Sequence, residues 1–159
     1  MKLKNILTAV ALLCATAQTK ANDWKQWSVI VSPVYSVSVS DFKFTTVRQG
    51  GGIGGELFIL DNLSLGAQGV TYDVKNSTVD EASATLNYYV PIKESGLFVV
   101  GTLGTLKGFE ENENWQYKTG AGIGAKIGES VVVRVGGYIV DDFQSNTELR
   151  FEAGLGVKF

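Results

Sequence analysis

Between Trp27 and Phe159 the apolar side chains return at every second residue, not at the 3.6-residue spacing of a helix. Trp115, Tyr117, Thr119, Ala121, Ile123, Ala125 and Ile127 share one face of an extended segment, and Gln116, Lys118, Gly120, Gly122, Gly124 and Lys126 share the other. The last segment repeats the pattern. Leu149, Phe151, Ala153, Leu155, Val157 and Phe159 face one way, and Arg150, Glu152, Gly154, Gly156 and Lys158 the other. Such a pattern sorts polarity between the two faces of a strand and would scatter it around a helix, so the chain is expected to be all-β.

Turn signals divide the alternating region into eight strands, near 27 to 38, 46 to 60, 63 to 74, 81 to 91, 97 to 107, 114 to 127, 131 to 140 and 148 to 159. Tight turns are expected at Asp61-Asn62, 93 to 96 and 128 to 130, and longer polar loops at 39 to 45, 75 to 80, 108 to 113 and 141 to 147. Short turns at one end and long loops at the other describe an up-and-down meander. An internal repeat agrees with it: Gly51-Gly-Ile-Gly-Gly-Glu-Leu57, Ala121-Gly-Ile-Gly-Ala-Lys-Ile127 and Ala153-Gly-Leu-Gly-Val-Lys-Phe159 each end an even-numbered strand on the short-turn side. Eight antiparallel strands of about 11 residues close into a barrel, and that length also matches the roughly 9 to 11 tilted residues that cross a bilayer.

Residues 1–21 read as a secretory signal, with Lys2 and Lys4 before the apolar stretch from Ile6 to Ala17 and small-residue cleavage positions ending at Ala21. Leu13 precedes Cys14 where a lipoprotein signal carries a small residue, so Cys14 is expected to leave with the signal. Cleavage removes Lys2, Lys4 and Lys20 and no acid, taking 14 basic residues to 11 against 16 acids, a net charge of −5. The mature region 22–159 then forms a single barrel domain without Cys.

Alternation alone leaves the direction of the two faces open, since a soluble ligand-binding barrel of lipocalin type would turn Ile123 and Leu155 inward. Glycine decides it: Gly52, Gly54, Gly120, Gly122, Gly124, Gly154 and Gly156 lie on the charged face, and glycine suits a narrow lumen better than a solvated surface. The apolar face is therefore expected to look outward at lipid. Glu56, Lys118, Arg134, Arg150 and Glu152, with Gln68 nearby, form the expected lumen ion-pair network, because an unpaired buried charge costs several kcal/mol. Trp24, Trp27 and Phe159 at the short-turn rim, and Tyr35, Trp115 and Tyr117 toward the loops, are the expected interfacial aromatics.

The segment from Gly50 through Gly54, Gly55 and Glu56 to the Asp61-Asn62 turn and Leu63-Ser-Leu65, together with Ala153-Gly-Leu-Gly-Val-Lys-Phe159, resembles the small outer-membrane β-barrels of Gram-negative bacteria, the OmpA-like and opacity-type eight-stranded barrels. The resemblance covers residues 22–159. It implies a transmembrane barrel in the outer membrane, surrounded by lipid and lipopolysaccharide. It also implies delivery by the outer-membrane assembly machinery through the strand ending in Phe159.

Little in the sequence speaks for catalysis. The chain has no His, so it lacks the commonest general base and zinc ligand, and a single Cys builds no thiolate site; no metal or cofactor is implied. The small membrane barrels with palmitoyl transferase or lipid A deacylase activity would imply a catalytic His, which is missing here. Gly50-x-Gly52-x-x-Gly55 matches a dinucleotide fingerprint in spacing only, because a strand follows where a helix N-terminus is needed. Acidic and basic residues nearly balance, which leaves no footprint for nucleic acid. On the long-loop side Asp41, Asp73, Asp80, Glu81, Glu110, Glu111, Glu113, Asp141, Asp142 and Glu148 face Lys43, Arg48, Lys75 and Lys107. That excess suits solubility, or binding of divalent cations or a basic surface ligand. The expected role is structural or surface-interacting, with a side-chain-plugged lumen and acidic loops; a narrow pore for ions or small solutes and a secreted lipocalin-like barrel are the alternatives.

Overall fold

The computed structural model describes residues 29–40, 47–74, 77–92, 95–109, 114–128, 130–141 and 147–158. The signal segment, Trp24, Trp27, Phe159 and most of the loops lie outside the described residues. Eight strands follow in chain order: β1 (Val29–Ser40), β2 (Val47–Leu60), β3 (Leu63–Val74), β4 (Ser77–Pro91), β5 (Leu97–Gly108), β6 (Gln116–Ile127), β7 (Val131–Asp141) and β8 (Thr147–Lys158). Each pairs antiparallel with the next, and β8 returns to β1, from Ile30 opposite Lys158 to Ser40 opposite Glu148, so the sheet closes on itself. Closure gives the backbone groups of the first and last strands the partners an open edge would lack. The closing ladder is interrupted between Val31 and Val34, where Pro33 has no N–H to donate, while the ladder to β2 continues through Pro33 opposite Ile53.

Strand ends differ from the sequence reading between β3 and β4. Where a long loop was expected at 75 to 80, β4 already begins at Ser77, which pairs with Val74. The alternation simply continues: Thr78 and Asp80 point out, Val79 is buried, and the Thr71 hydroxyl donates to Asp80 at 2.7 Å across the ladder. At the opposite end the turns are tight, and Gly96 and Gly128 take left-handed conformations (φ 73° and 66°) that suit glycine.

The two strand faces segregate as the glycine argument requires. Ile53, Ile123 and Leu155 are 64%, 61% and 52% exposed, whereas Lys118 and Glu152 are 2% and 7% exposed. The apolar side is therefore the outer wall. An eight-stranded barrel is just wide enough inside for its own side chains, and this interior is more aromatic than expected. Phe58, Tyr72, Tyr89, Phe98 and Tyr138 all point inward. At the short-turn end Phe58, Tyr89, Phe98, Val100 and Val132 form an apolar cluster, with the Tyr89 ring 5.1 Å from Phe58 and 5.3 Å from Phe98. Inward glycines make room for these rings. A Cβ on Gly136 would lie 2.5 Å from the Tyr138 hydroxyl, and one on Gly124 would run into the Phe98 ring.

Gly136→Ala should therefore destabilise the barrel by about 1–3 kcal/mol through overpacking. Because the three nearest neighbours of that Cβ all belong to Tyr138, Gly136→Ala combined with Tyr138→Val should cost less than the two single changes added together. Urea unfolding of the four proteins completes this cycle, and strict additivity would argue against the packing assignment.

Candidate functional site: the charged interior

Above the apolar cluster the interior side chains form three polar tiers, each joining strands that are not neighbours in the sheet. The first joins β7 to β2. The Arg134 guanidinium pairs with Glu56 and donates to the Tyr89 hydroxyl oxygen at 2.9 Å. The other Glu56 oxygen accepts from Ser64 at 2.7 Å and from Tyr89 at 2.5 Å. The chain of hydrogen bonds continues around the wall. The Asn87 amide donates to Ser64 at 3.4 Å and to Thr85 at 3.3 Å, and Asn87 accepts from Thr102 at 2.9 Å. Beside Glu56 and Arg134, Gly54, Gly66, Gln68 and Thr85 border a cavity of about 10 Å³, which is about the space of a single water.

In the second tier Lys118 of β6 donates to Glu152 of β8 at 2.6 Å, with its ammonium 4.4 Å from the centre of the Tyr138 ring. The third tier lies nearer the long loops. Arg150 donates to Glu81 at 2.7 Å and to Glu148 from Nε and Nη2 at 3.0 and 2.7 Å, and its guanidinium stands 5.2 Å from the Tyr72 ring centre. Each of the five residues named from sequence points inward, and the structure joins four of them as Arg134 with Glu56 and Lys118 with Glu152.

Glu81 and Glu148 need a correction. The sequence reading counts both among the acids of the long-loop side, but they point inward and hold Arg150 inside the barrel. Their parity carried the signal, since Glu81 shares a face with Asn87 and Tyr89, and Glu148 with Arg150. The partners Ser64, Asn87, Tyr89, Thr102 and Tyr138 were missed for the same reason: they are neutral residues on the inward parity. Tyr35, Trp115 and Tyr117 are exposed on the outer wall, and the Tyr35 hydroxyl donates to Gln49 at 3.1 Å, toward the long-loop rim. Trp24, Trp27 and Phe159 lie outside the described residues. Among the described residues no group of His, Cys, Asp or Glu is arranged to hold a metal ion, and no helix is long and apolar enough to cross a membrane.

This architecture has solved counterparts. The N-terminal β-barrel domain of Pseudomonas aeruginosa OprF superposes with a TM-score of 0.64 at 17% identity, over 84% of this chain and 98% of that one. The fold is that of the small outer-membrane β-barrels. Ail, the attachment invasion locus protein of Yersinia pestis, matches with a TM-score of 0.60 at 12% identity, over 85% of this chain and 100% of that one. A de novo designed transmembrane β-barrel matches with a TM-score of 0.58 at 12% identity, over 85% and 98%. No protein-family model and no curated protein matches the sequence. A likeness shared with both a bacterial attachment protein and a designed barrel conveys architecture and leaves activity to the side chains.

Lys118 and Glu152 offer a direct measure of how much the interior depends on pairing. Glu152→Gln or Lys118→Met alone should destabilise the protein by about 3–5 kcal/mol, because each leaves an uncompensated buried charge. The double change Lys118→Met with Glu152→Leu should recover most of that loss in urea unfolding. Equal destabilisation by the double and single changes would mean that the pair acts through packing instead of charge.

Proposed function

We propose that the chain is an outer-membrane β-barrel whose interior is filled by its own side chains and whose long-loop end is the part offered to surface partners, with no catalytic role. The observation that carries this reading is the inverted polarity of the barrel: exposed Ile53, Ile123 and Leu155 outside, paired Lys118, Arg134 and Arg150 inside. In water an outer wall of that kind would be an aggregation hazard, whereas in hydrocarbon it is the favourable arrangement. A barrel is also one of the two structures able to satisfy its backbone inside a bilayer. Supporting the filled interior are the apolar cluster at the short-turn end and the continuous hydrogen bonding from Arg134 to Thr102 above it. The lipocalin-like alternative requires the opposite orientation of the two faces.

The exposed Asp73 and Asp80, the half-buried Asp141 at the strand end, and the acids of the undescribed loops give the proposed surface its acidic character. Its partners are expected to be basic, or bridged by divalent cations. In the cell the protein should fractionate with the outer membrane and migrate faster in detergent gels before boiling than after it. Release into aqueous buffer as a monomer without detergent would overturn the membrane reading. In planar bilayers no steady conductance is expected. A steady current abolished by Glu56→Gln or Arg134→Gln would replace the filled interior with a narrow pore.

A further inference from the structure

The outer wall is not uniform. On its β6 to β8 side an apolar depression of about 480 Å³ is floored by Ala121, Gly137 and Ala153 and rimmed by Tyr35, Ile123 and Phe151. The floor follows from register: Ala121 lies opposite Gly137, and the next strand sets the Phe151 ring opposite the same glycine. Small side chains on adjacent strands thus meet between large ones. A void against a wall in hydrocarbon forfeits dispersion contacts and finds no water to fill it. Two convex barrels would touch along a line and leave the floor empty, whereas a flexible acyl chain conforms to it.

A second feature lies above the depression on the same side. Lys107 is, among the described residues, the one basic side chain on the outward parity, and its ammonium stands 5.8 Å from the centre of the Trp115 ring. Exposed Trp115 immediately precedes β6 and exposed Tyr117 lies on it, the strand that also supplies Ala121 and Ile123. Six residues separate Trp115 from Ala121, about 20 Å along a strand and about 15 Å of depth at the usual tilt, roughly half of a 30 Å hydrocarbon core. An amphiphile with its head at Lys107 would therefore bring its chain to the depression.

We propose that this side of the barrel holds one anionic, phosphate-bearing lipid of the long-loop leaflet, its phosphate against Lys107 beside Trp115 and an acyl chain in the depression over Gly137. The inference rests on the membrane reading above. It assigns a discrete lipid site to a wall that would otherwise meet only exchanging bulk lipid.

The test uses the full mature chain folded in detergent and offered phosphatidylglycerol or phosphatidylcholine of identical chains, with retained lipid counted by native mass spectrometry. One phosphatidylglycerol per barrel should be retained in preference to phosphatidylcholine. Lys107→Gln should weaken its binding about fivefold and remove the preference, as the loss of one lysine near a lipid surface implies. Gly137→Leu fills the floor and should reduce retention of both lipids. It should still fold, since a Cβ there meets only the Phe151 ring at an ordinary 3.7 Å. Equal retention of both lipids by all three proteins, each still heat-modifiable, would overturn the site and leave the membrane reading standing. An effect of Gly137→Leu without one of Lys107→Gln would overturn the phosphate assignment. Loss of heat-modifiability in the unsubstituted protein would remove the membrane reading, and this inference with it.

Discussion

A charge inside a narrow barrel has neither bulk water nor room to escape, so it persists only against an opposite charge held by another strand. Everything else in this structure accommodates that constraint. Lys118 and Arg150 are each 2% exposed and each has a carboxylate partner, and Arg150 holds two. Through these pairs β2 meets β7, β6 meets β8 and β4 meets β8; β4 and β8 stand opposite one another in the ring, while the other two pairs reach over one or two intervening strands, so the contacts tie together strands that share no ladder. Backbone ladders between neighbouring strands fix the sequence of the wall but leave its roundness free; the transverse pairs supply that missing restraint.

The inward glycines belong to the same accommodation in a way that charge alone does not explain. Long flexible side chains could have been fitted past small residues of several kinds. Rings are less forgiving, since Tyr138 occupies the place of a Gly136 Cβ and Tyr72 approaches that of Gly50 within 2.7 Å. Those rings in turn organise the charges. Tyr89 donates to Glu56 and accepts from Arg134, Tyr138 faces the Lys118 ammonium, and Tyr72 faces Arg150. Each cation thus has an aromatic neighbour as well as a carboxylate, which lessens the desolvation that makes buried ion pairs expensive.

Much of this was legible in the sequence because a strand's side-chain period is an integer. Once Lys118 is assigned to one face, Gly120, Gly122 and Gly124 follow without error, and the orientation argument needs only their composition. Position along the barrel was less legible. Parity names Lys118 and Glu152 as inward but not as partners; they lie 2.6 Å apart because strand stagger brings residues at unequal distances from their turns to one height. Glu81 was lost at a strand boundary, since a strand expected to start at 81 makes its first residue look like part of a loop. The interior aromatics were lost to residue type: aromatic side chains suggest a girdle, but parity alone decides which wall face they occupy, and Phe58 has the parity of Glu56.

The same integer period explains why partner identity is poorly written in such a chain. The inward face must satisfy neighbours it cannot choose, and the outward face must satisfy a liquid that imposes only apolarity, so neither face encodes a specific partner strongly. Information about recognition is left to positions where that second requirement is violated without need. Gly137 and Ala121 are such positions, because larger apolar residues would serve a featureless hydrocarbon at least as well. Lys107 is another, as a basic residue beside Trp115 at a rim otherwise marked by Asp73, Asp80 and Asp141. If the wall faces lipid as proposed, departures from the average composition of such a wall are the positions where specificity would be carried, in the way that buried charges carry it for the interior.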